Sequence, residues 1–394
     1  MILTKLKITS KLGSLKRLGT KEGSSKCDEA PDMPQSTKYG ANSEDYKRIS
    51  VLGRSTTGLA TVHLAVHKPS DSWVALKQYN LDELDRENAD LIKEEIILMR
   101  QLSHSCILSS FGSFVSGNNV VCILPVMGFG STADLIARHF PTGLPEQIIV
   151  TVLKAVLQAL QYLHSKGIIH RAVRGSHILI SSDGYVKLGG FRYSCGLVSS
   201  ERWNRKVHSF PPNSEPNLNW LSPELLEQNL EGYNEKSDIY SVGITACELA
   251  NGIVPYFGTC KTLMLTEKVK GFHPQLIDAS TFIPNGHGEE DDENYKEDND
   301  EVSRVVKTRK FSDMFHSVTE YCLERDPNIR PSPKQILTLP FFKTALSPPS
   351  LVQTLKSYID PADFPYQIQE EENADQVACE LMNNLELDPI KWEF

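Results

Sequence analysis

The sequence predicts an α+β fold of two lobes, a small β-rich amino-terminal lobe joined to a larger helical one. Three observations lead there. From Tyr46 to about Phe129, short β-rich runs alternate with one helical stretch. From Ser131 onward helices dominate, and Ile149, Val152, Leu153, Val156, Leu160 and Leu163 recur at the spacing of a buried helix between Gln147 and His164. The chain of 394 residues carries a single set of the motifs described below, so one two-lobed unit over 45–343 accounts for most of it. Residues 1–44 read as a polar, basic, disordered arm, and 344–394 as a linker and tail.

The small lobe opens on Leu52-Gly53-Arg54-Ser55-Thr56-Thr57-Gly58-Leu59-Ala60. It keeps the first and third glycines of G-x-G-x-x-G-x-V, the loop with which protein kinases cover nucleotide phosphates, and puts Ser55 and Ala60 in place of the second Gly and the Val. Val74-Ala75-Leu76-Lys77 follows in the order such a lobe requires and matches the strand that presents the phosphate-pairing lysine. In the helical stretch after it, Ile92, Ile96 and Met99 share one face, which leaves Glu95 free to pair with Lys77. Leu124-Pro125-Val126-Met127 reads as the hinge, with Met127 near an adenine ring.

The large lobe contains His170-Arg171-Ala172-Val173-Arg174-Gly175-Ser176-His177-Ile178-Leu179, a catalytic loop H-R-D-L-x-x-x-N with its reacting residues exchanged. Ala172 stands where an Asp would accept the substrate proton, and a methyl group cannot. His177 stands where an Asn would hold magnesium, and neutral imidazole is a poor ligand for a hard cation. After a turn at Asp183-Gly184 and a strand at Tyr185–Leu188 comes Gly190-Phe191-Arg192, in register with Asp-Phe-Gly. The metal-binding carboxylate has become Gly190. Phosphoryl transfer depends on positioning and on charge neutralisation by these groups, so three losses at three roles argue against it. The frame survives. Trp220-Leu221-Ser222-Pro223-Glu224 stands where kinases have A-P-E, with Arg330 as the expected buried partner of Glu224. Ser237-Asp238-Ile239-Tyr240-Ser241-Val242-Gly243 matches the helix whose Asp supports the catalytic-loop backbone.

These residues resemble the STE20-type protein kinase fold, and more closely the STE20-related adaptor (STRAD) pseudokinases. The H-R-x-V-x-x-S-H-I-L-I loop, the G-φ-R triplet (φ apolar), the run from Lys236 to Ala250 and the ending Trp392-Glu393-Phe394 carry the resemblance. It implies an inactive kinase that, with an α-helical-repeat scaffold of the calcium-binding protein 39 family, binds and activates the tumour-suppressor liver serine/threonine kinase. It also implies ATP bound without catalysis and without magnesium. The expected site comprises Leu52, Gly53, Gly58, Ala60, Ala75, Lys77, Glu95, Met127, Arg174, His177 and Arg192, with Lys77, Arg174 and Arg192 doing part of the metal's work. Trp392, Glu393 and Phe394 are expected to enter a pocket on the scaffold. Trp203, Arg205 and Phe210, with their neighbours Arg202, Lys206, Val207 and His208, are expected to face the partner kinase. The alternatives are a weakly active or atypical serine/threonine kinase, with His177 or Asp183 as the only nearby base, and a pure scaffold with an empty pocket.

Composition sets outer bounds. A net charge of −9 argues against general nucleic-acid binding. No apolar run is expected to span a membrane, and the start of the chain lacks a signal-peptide core. Eight cysteines without C-x-x-C spacing indicate neither a zinc site nor a disulfide framework and fit a cytoplasmic or nuclear protein. The acidic run within 285–303 reads as a surface loop too charged to pack. In the tail, Ala374, Val377, Ala378, Leu381 and Leu385 fall at helical intervals.

Overall fold

The computed structural model describes residues 39–55, 57–199, 202–203, 206–228, 230–281, 305 and 307–360. The acidic insert, the amphipathic stretch of the tail, Trp392, Glu393, Phe394 and Arg205 lie outside the described residues.

The small lobe is a five-stranded antiparallel sheet, order β1-β2-β3-β5-β4, with one helix. Its elements are β1 (Tyr46–Arg54), β2 (Ala60–His67), β3 (Ser72–Asn80), α1 (Arg86–Gln101), β4 (Gly112–Ser116) and β5 (Asn119–Leu124). Two register shifts in the β1–β2 ladder, between Arg48 and Ser50 and between Val51 and Gly53, bend the hairpin that carries the Gly-rich loop. Ala65, Val74, Leu76, Val121 and Ile123 alternate inward and fill one face of the sheet. Helix α1 begins at Asp85, whose carboxylate accepts from Asn88 N at 2.7 Å. It buries Ile92, Glu95 and Met99 and leaves Ile96 partly buried, so Glu95 lies with the apolar stripe and not apart from it as its periodicity suggested.

In the large lobe β6 (Gly130–Ser131) leads into α2 (Thr132–His139), closed at its start by a Ser131–Asp134 capping box. Helix α3 (Glu146–Ser165) follows; it buries ten apolar side chains and is the spine of the lobe. By length and composition α3 could cross a membrane, contrary to the expectation that no segment could. Its burial in the core marks it as a core helix. Next come β7 (Ile168–Ile169), β8 (Ile178–Ile180) and β9 (Val186–Leu188); β8 pairs with β6 and with β9. The segment beyond contains β10 (Cys195–Gly196), paired with β7, and the hairpin β11 (Val198–Ser199) with β12 (Arg202–Trp203). Helix α4 (Pro223–Glu227) precedes α5 (Lys236–Asn251), which is buried from Ser237 to Ala250. Helix α5 packs through Gly243 on the helix Asp313–Leu323, where an added Cβ would stand 2.7 Å from Leu323 Cγ. Helices α6 (Lys261–Lys270), α7 (Asp313–Leu323) and α8 (Pro333–Leu337) complete the lobe.

The reading of 344–394 as linker and tail needs correction at its start. Residues Pro348–Tyr358 form a helix, α9, with Leu351 and Leu355 fully buried. Its first carbonyl, that of Pro348, lies so close to Gly184 in the β8–β9 turn that a Cβ there would meet it at 2.1 Å. Gly184 has φ +83°, so both conformation and contact require glycine. The helix delivers Ile359 to the mouth of the cleft between the lobes.

Candidate functional site

A cleft of about 540 Å³ runs between the lobes, within the size range of small-molecule sites. Val62, Ala75, Leu124, Pro125, Met127 and Leu179 supply apolar walls, and Leu52 and Gly53 also line it. Lys77, His177, Gly190 and Arg192 are among its other lining residues. Three residues expected to line it do not: Gly58, Ala60 and Arg174. Gly58, at φ +72°, forms the turn of the β1–β2 loop and does not line the cleft. Ala60 shares the sheet face of Lys77 and Tyr79 but is buried against Tyr79, Ile92 and Cys122 and does not line the cleft. Val62, two residues along the same strand and on the same face, lines the cleft in its place. Ser55, which replaces the second loop glycine, holds the turn by accepting from Ala60 N at 3.0 Å.

Lys77 Nζ lies 3.1 Å from Glu95 Oε1, and Tyr79 donates to Glu95 Oε2 at 3.1 Å. Burial works against the lysine charge, but Glu95 and Tyr79 outweigh it and hold the proton above the ordinary lysine range. Tyr79 was not anticipated. The signal was available, since residues two apart on a strand face the same side.

The catalytic loop is held as the sequence suggested. Asp238 accepts from His170 N at 2.9 Å and Arg171 N at 2.8 Å, and His164 Nε2 stands 2.8 Å from the same carboxylate. Burial alone would raise the Asp238 carboxyl, but these hydrogen bonds outweigh it and hold it below the usual range. His170 Nε2 donates to the Gly189 carbonyl at 2.9 Å, and its ring meets Phe191 edge to face at 5.2 Å. Burial keeps this imidazole neutral. Glu248 accepts from Gly175 N at 2.9 Å and Trp220 Nε1 at 2.8 Å. Glu224 and Arg330 form the anticipated buried fork at 2.7 and 2.8 Å.

On this intact frame Ala172 is 1% exposed and offers no functional group. His177 Nδ1 is 2.7 Å from the Ala172 carbonyl, which can only accept, so the proton sits on Nδ1. Desolvation, then Arg174, hold this imidazole well below its usual range. Gly190 has φ +79°, and a Cβ on it would stand 2.4 Å from His177 Cγ. The His177 ring therefore occupies space that any side chain at position 190 would need. The carboxylates lining the cleft are Glu95, already engaged, and Asp134, which caps α2. Asp183 does not line it.

The expected trio of phosphate-holding cations is corrected in part. Arg174 does not border the cleft; it stacks on Trp220 at 5.1 Å and donates to the Pro216 carbonyl. Arg192 does border it, but its terminal nitrogens are committed to the small lobe, one to Thr57 Oγ1 at 3.3 Å and one to Asn88 Oδ1. It is a tie between lobes. Both arginines find oxygen partners remote in sequence, which no local pattern reports.

The segment after β9 is tied down by hydrogen bonds from Arg171 and Tyr233. Arg171 donates to the Tyr193 carbonyl and, at 2.9 Å, to the Tyr233 hydroxyl, which donates to Ser209 O at 2.5 Å. Val207 pairs with Tyr233 through both backbone bonds, at 2.7 and 2.9 Å. Trp203 lies on the β11–β12 hairpin. Phe210, expected on the partner-facing surface, instead packs on Ile169, Leu197, Leu221, Leu225 and Tyr233 of its own lobe. An aromatic ring beside an apolar cluster is buried by the same force that would otherwise drive docking.

Comparison with known proteins agrees with this geometry. The protein kinase domain family matches residues 46–342. STE20-related kinase adapter protein alpha of Gallus gallus is 39% identical over 316 residues, 77% of this chain and 81% of that protein. Its Homo sapiens counterpart is 36% identical over 365 residues, 89% of this chain and 84% of the human protein. STE20-related kinase adapter protein beta of Homo sapiens is 37% identical over 318 residues, 77% of this chain and 76% of that one. A kinase-shaped cleft with its frame intact and its reacting positions exchanged, in a chain so similar to these proteins, belongs to the protein kinase domain family and within it to the STE20-related kinase adapter proteins.

Proposed function

We propose that this protein is a catalytically inactive pseudokinase adaptor that binds ATP without turning it over. Together with a helical-repeat scaffold of the calcium-binding protein 39 family, it binds and activates the tumour-suppressor liver serine/threonine kinase, in the cytoplasm and the nucleus. The observation that carries the inactive reading is Ala172: the loop around it is anchored at His170 and Arg171 by Asp238, yet the anchored position has no proton acceptor.

The cleft fits a nucleotide by its chemistry. Apolar walls from Val62, Ala75 and Met127 suit a base, and Lys77 and Arg192 line the same cleft. The donor set does not suit magnesium, which prefers several oxygen ligands. Glu95 is shared by Lys77 and Tyr79, Asp134 is a helix cap, and Gly190 and His177 supply no oxygen. Bound ATP would draw the lobes together around Lys77 and the Arg192 tie. That closed shape is what a partner kinase would select, shifting its own population toward the active form. The ending Trp392-Glu393-Phe394 supplies the scaffold anchor in this reading.

The test is reconstitution of the three purified proteins with a peptide substrate of the partner kinase. Addition of this chain and scaffold should raise partner activity severalfold, and deletion of residues 392–394 should remove the gain. Melting with ATP in EDTA should show stabilisation that grows with nucleotide concentration. The intact Lys77–Glu95 pair favours one rival, a slow kinase; phosphate transfer by the isolated chain that disappears in Lys77→Met would replace the adaptor reading.

A further inference from the structure

Buried polar groups in folded proteins are nearly always paired, because an unpaired one forfeits its hydration without return. Asn217 departs from this. It is 1% exposed, borders the cleft beside Pro216 and Tyr193, and neither its Oδ1 nor its Nδ2 has a partner. Ser176, which borders the same cleft next to His177, has a buried hydroxyl without a partner. Arg192 has its terminal nitrogens occupied but its buried Nε–H free. These groups lie on the catalytic loop, on the triplet after β9 and on the short 3-10 turn Glu215–Asn217, and all three stretches border the same cleft.

The inventory is unbalanced. Asn217 Nδ2 and Arg192 Nε can only donate, Ser176 Oγ can do either, and Asn217 Oδ1 alone is restricted to accepting. No free carboxylate lines the cleft to meet these donors: position 172 is a methyl, Gly190 has no side chain and Glu95 is engaged. A donor-rich, cation-bordered recess without its own anion is complementary to phosphoryl oxygens, which accept strong hydrogen bonds from such groups.

We propose that Asn217 and Ser176, with Arg192 Nε, form a subsite for the terminal phosphoryl group of a nucleotide seated in the cleft. The subsite lets the protein distinguish nucleoside triphosphate from diphosphate without a metal ion. This rests on the nucleotide reading above and adds what that reading lacks, a reason for triphosphate preference once Arg174 is turned away. The Asn217 Nδ2 donor then finds its acceptor only in the triphosphate-bound form.

The experiment measures ATP and ADP affinity by calorimetry in EDTA, for the full chain and for Asn217→Leu, Ser176→Ala and Asn217→Thr. The wild type should bind ATP about tenfold tighter than ADP, the size of one hydrogen bond to a charged group. In Asn217→Leu the ATP-to-ADP ratio should fall toward one while ADP affinity stays within about twofold, and Ser176→Ala should fall between. Inorganic phosphate added to the ADP complex should raise the melting temperature of the wild type further than that of Asn217→Leu. A second readout guards against misfolding. Asn217→Leu removes two unpaired polar atoms, so the ligand-free protein should melt at the same temperature or higher, whereas a structural asparagine would show a loss. Asn217→Thr, a smaller polar change, keeps the comparison usable if leucine fails to fold. Equal ATP and ADP affinity in the wild type, or an undiminished ratio in Asn217→Leu and Asn217→Thr, overturns the subsite and leaves nucleotide binding standing. Absence of any nucleotide binding overturns both.

Discussion

Replacing Gly190 with Asp, the residue that active kinases carry at this place, tests why two metal-binding positions differ together. The glycine sits at φ +79°, where a side chain costs about 1 kcal/mol or more. Its new Cβ would stand 2.4 Å from His177 Cγ and 2.5 Å from His177 Nδ1, so the ring has to move. Moving it sacrifices the 2.7 Å bond to the Ala172 carbonyl, worth about 1 kcal/mol, and overpacking adds about 1–3 kcal/mol. The expected loss for Gly190→Asp is therefore about 3–5 kcal/mol, read as a fall of roughly 6–10 °C in melting temperature at about 2 °C per kcal/mol. His177→Asn alone removes the ring and should cost about 1 kcal/mol. In the double variant the overlap is gone, so most of the Gly190→Asp loss should return, with a coupling of about 1–3 kcal/mol between neighbouring sites. The assay is a double-mutant cycle by thermal and urea unfolding of ligand-free protein. Additive losses within about 0.5 kcal/mol would refute the claim that His177 fills the room of the missing carboxylate.

Two further outcomes follow from the same structure. His170 and His177 are both held below the ordinary histidine value of 6.5, His177 the more strongly, by desolvation. Above that pH neither protonation state differs between folded and unfolded chain. Below it the unfolded chain binds protons the folded one refuses, so stability should fall by about 1–2 kcal/mol between pH 6.5 and 5.5 in urea titrations. Asp238, also held low, acts in the same sense, but its stabilisation is present in full above its ordinary 3.8 and is lost only as pH falls below it; a flat profile from 7.5 to 5.5 would contradict two buried imidazoles that resist protonation. Leu355→Ala in α9 should cost about 2–5 kcal/mol because the side chain is fully buried; an unchanged melting temperature would return 344–360 to the status of a linker.

Much of the candidate site was legible because chemistry resides in residue identity. That Ala172 cannot accept a proton, and that Gly190 and His177 offer magnesium no oxygen, follows from the side chains whatever surrounds them. The Lys77–Glu95 pair, the Asp238 support and the Glu224–Arg330 fork were also legible, since each joins groups of opposite demand placed on elements whose periodicity fixes their facing. The small lobe and the long core helix could be read from their periods of two and 3.6.

Tertiary structure decided where the arginines point, what fills the emptied positions and how the chain continues past the kinase-like unit. Arg174 and Arg192 carry the same charge and were assigned the same task. One is stacked on Trp220 and the other bound to Thr57 and Asn88, because a long, forked donor goes to whichever oxygen or ring face the folded chain brings within reach. Packing of Ala60 against Tyr79, Ile92 and Cys122 left Val62 to line the cleft, and α9 was drawn onto α3 by Leu351 and Leu355. Sequence by itself determined which reactions this cleft has no groups to perform. The contacts between distant residues determined which of its polar groups are spent on holding the fold and which, like Asn217, are left without a partner.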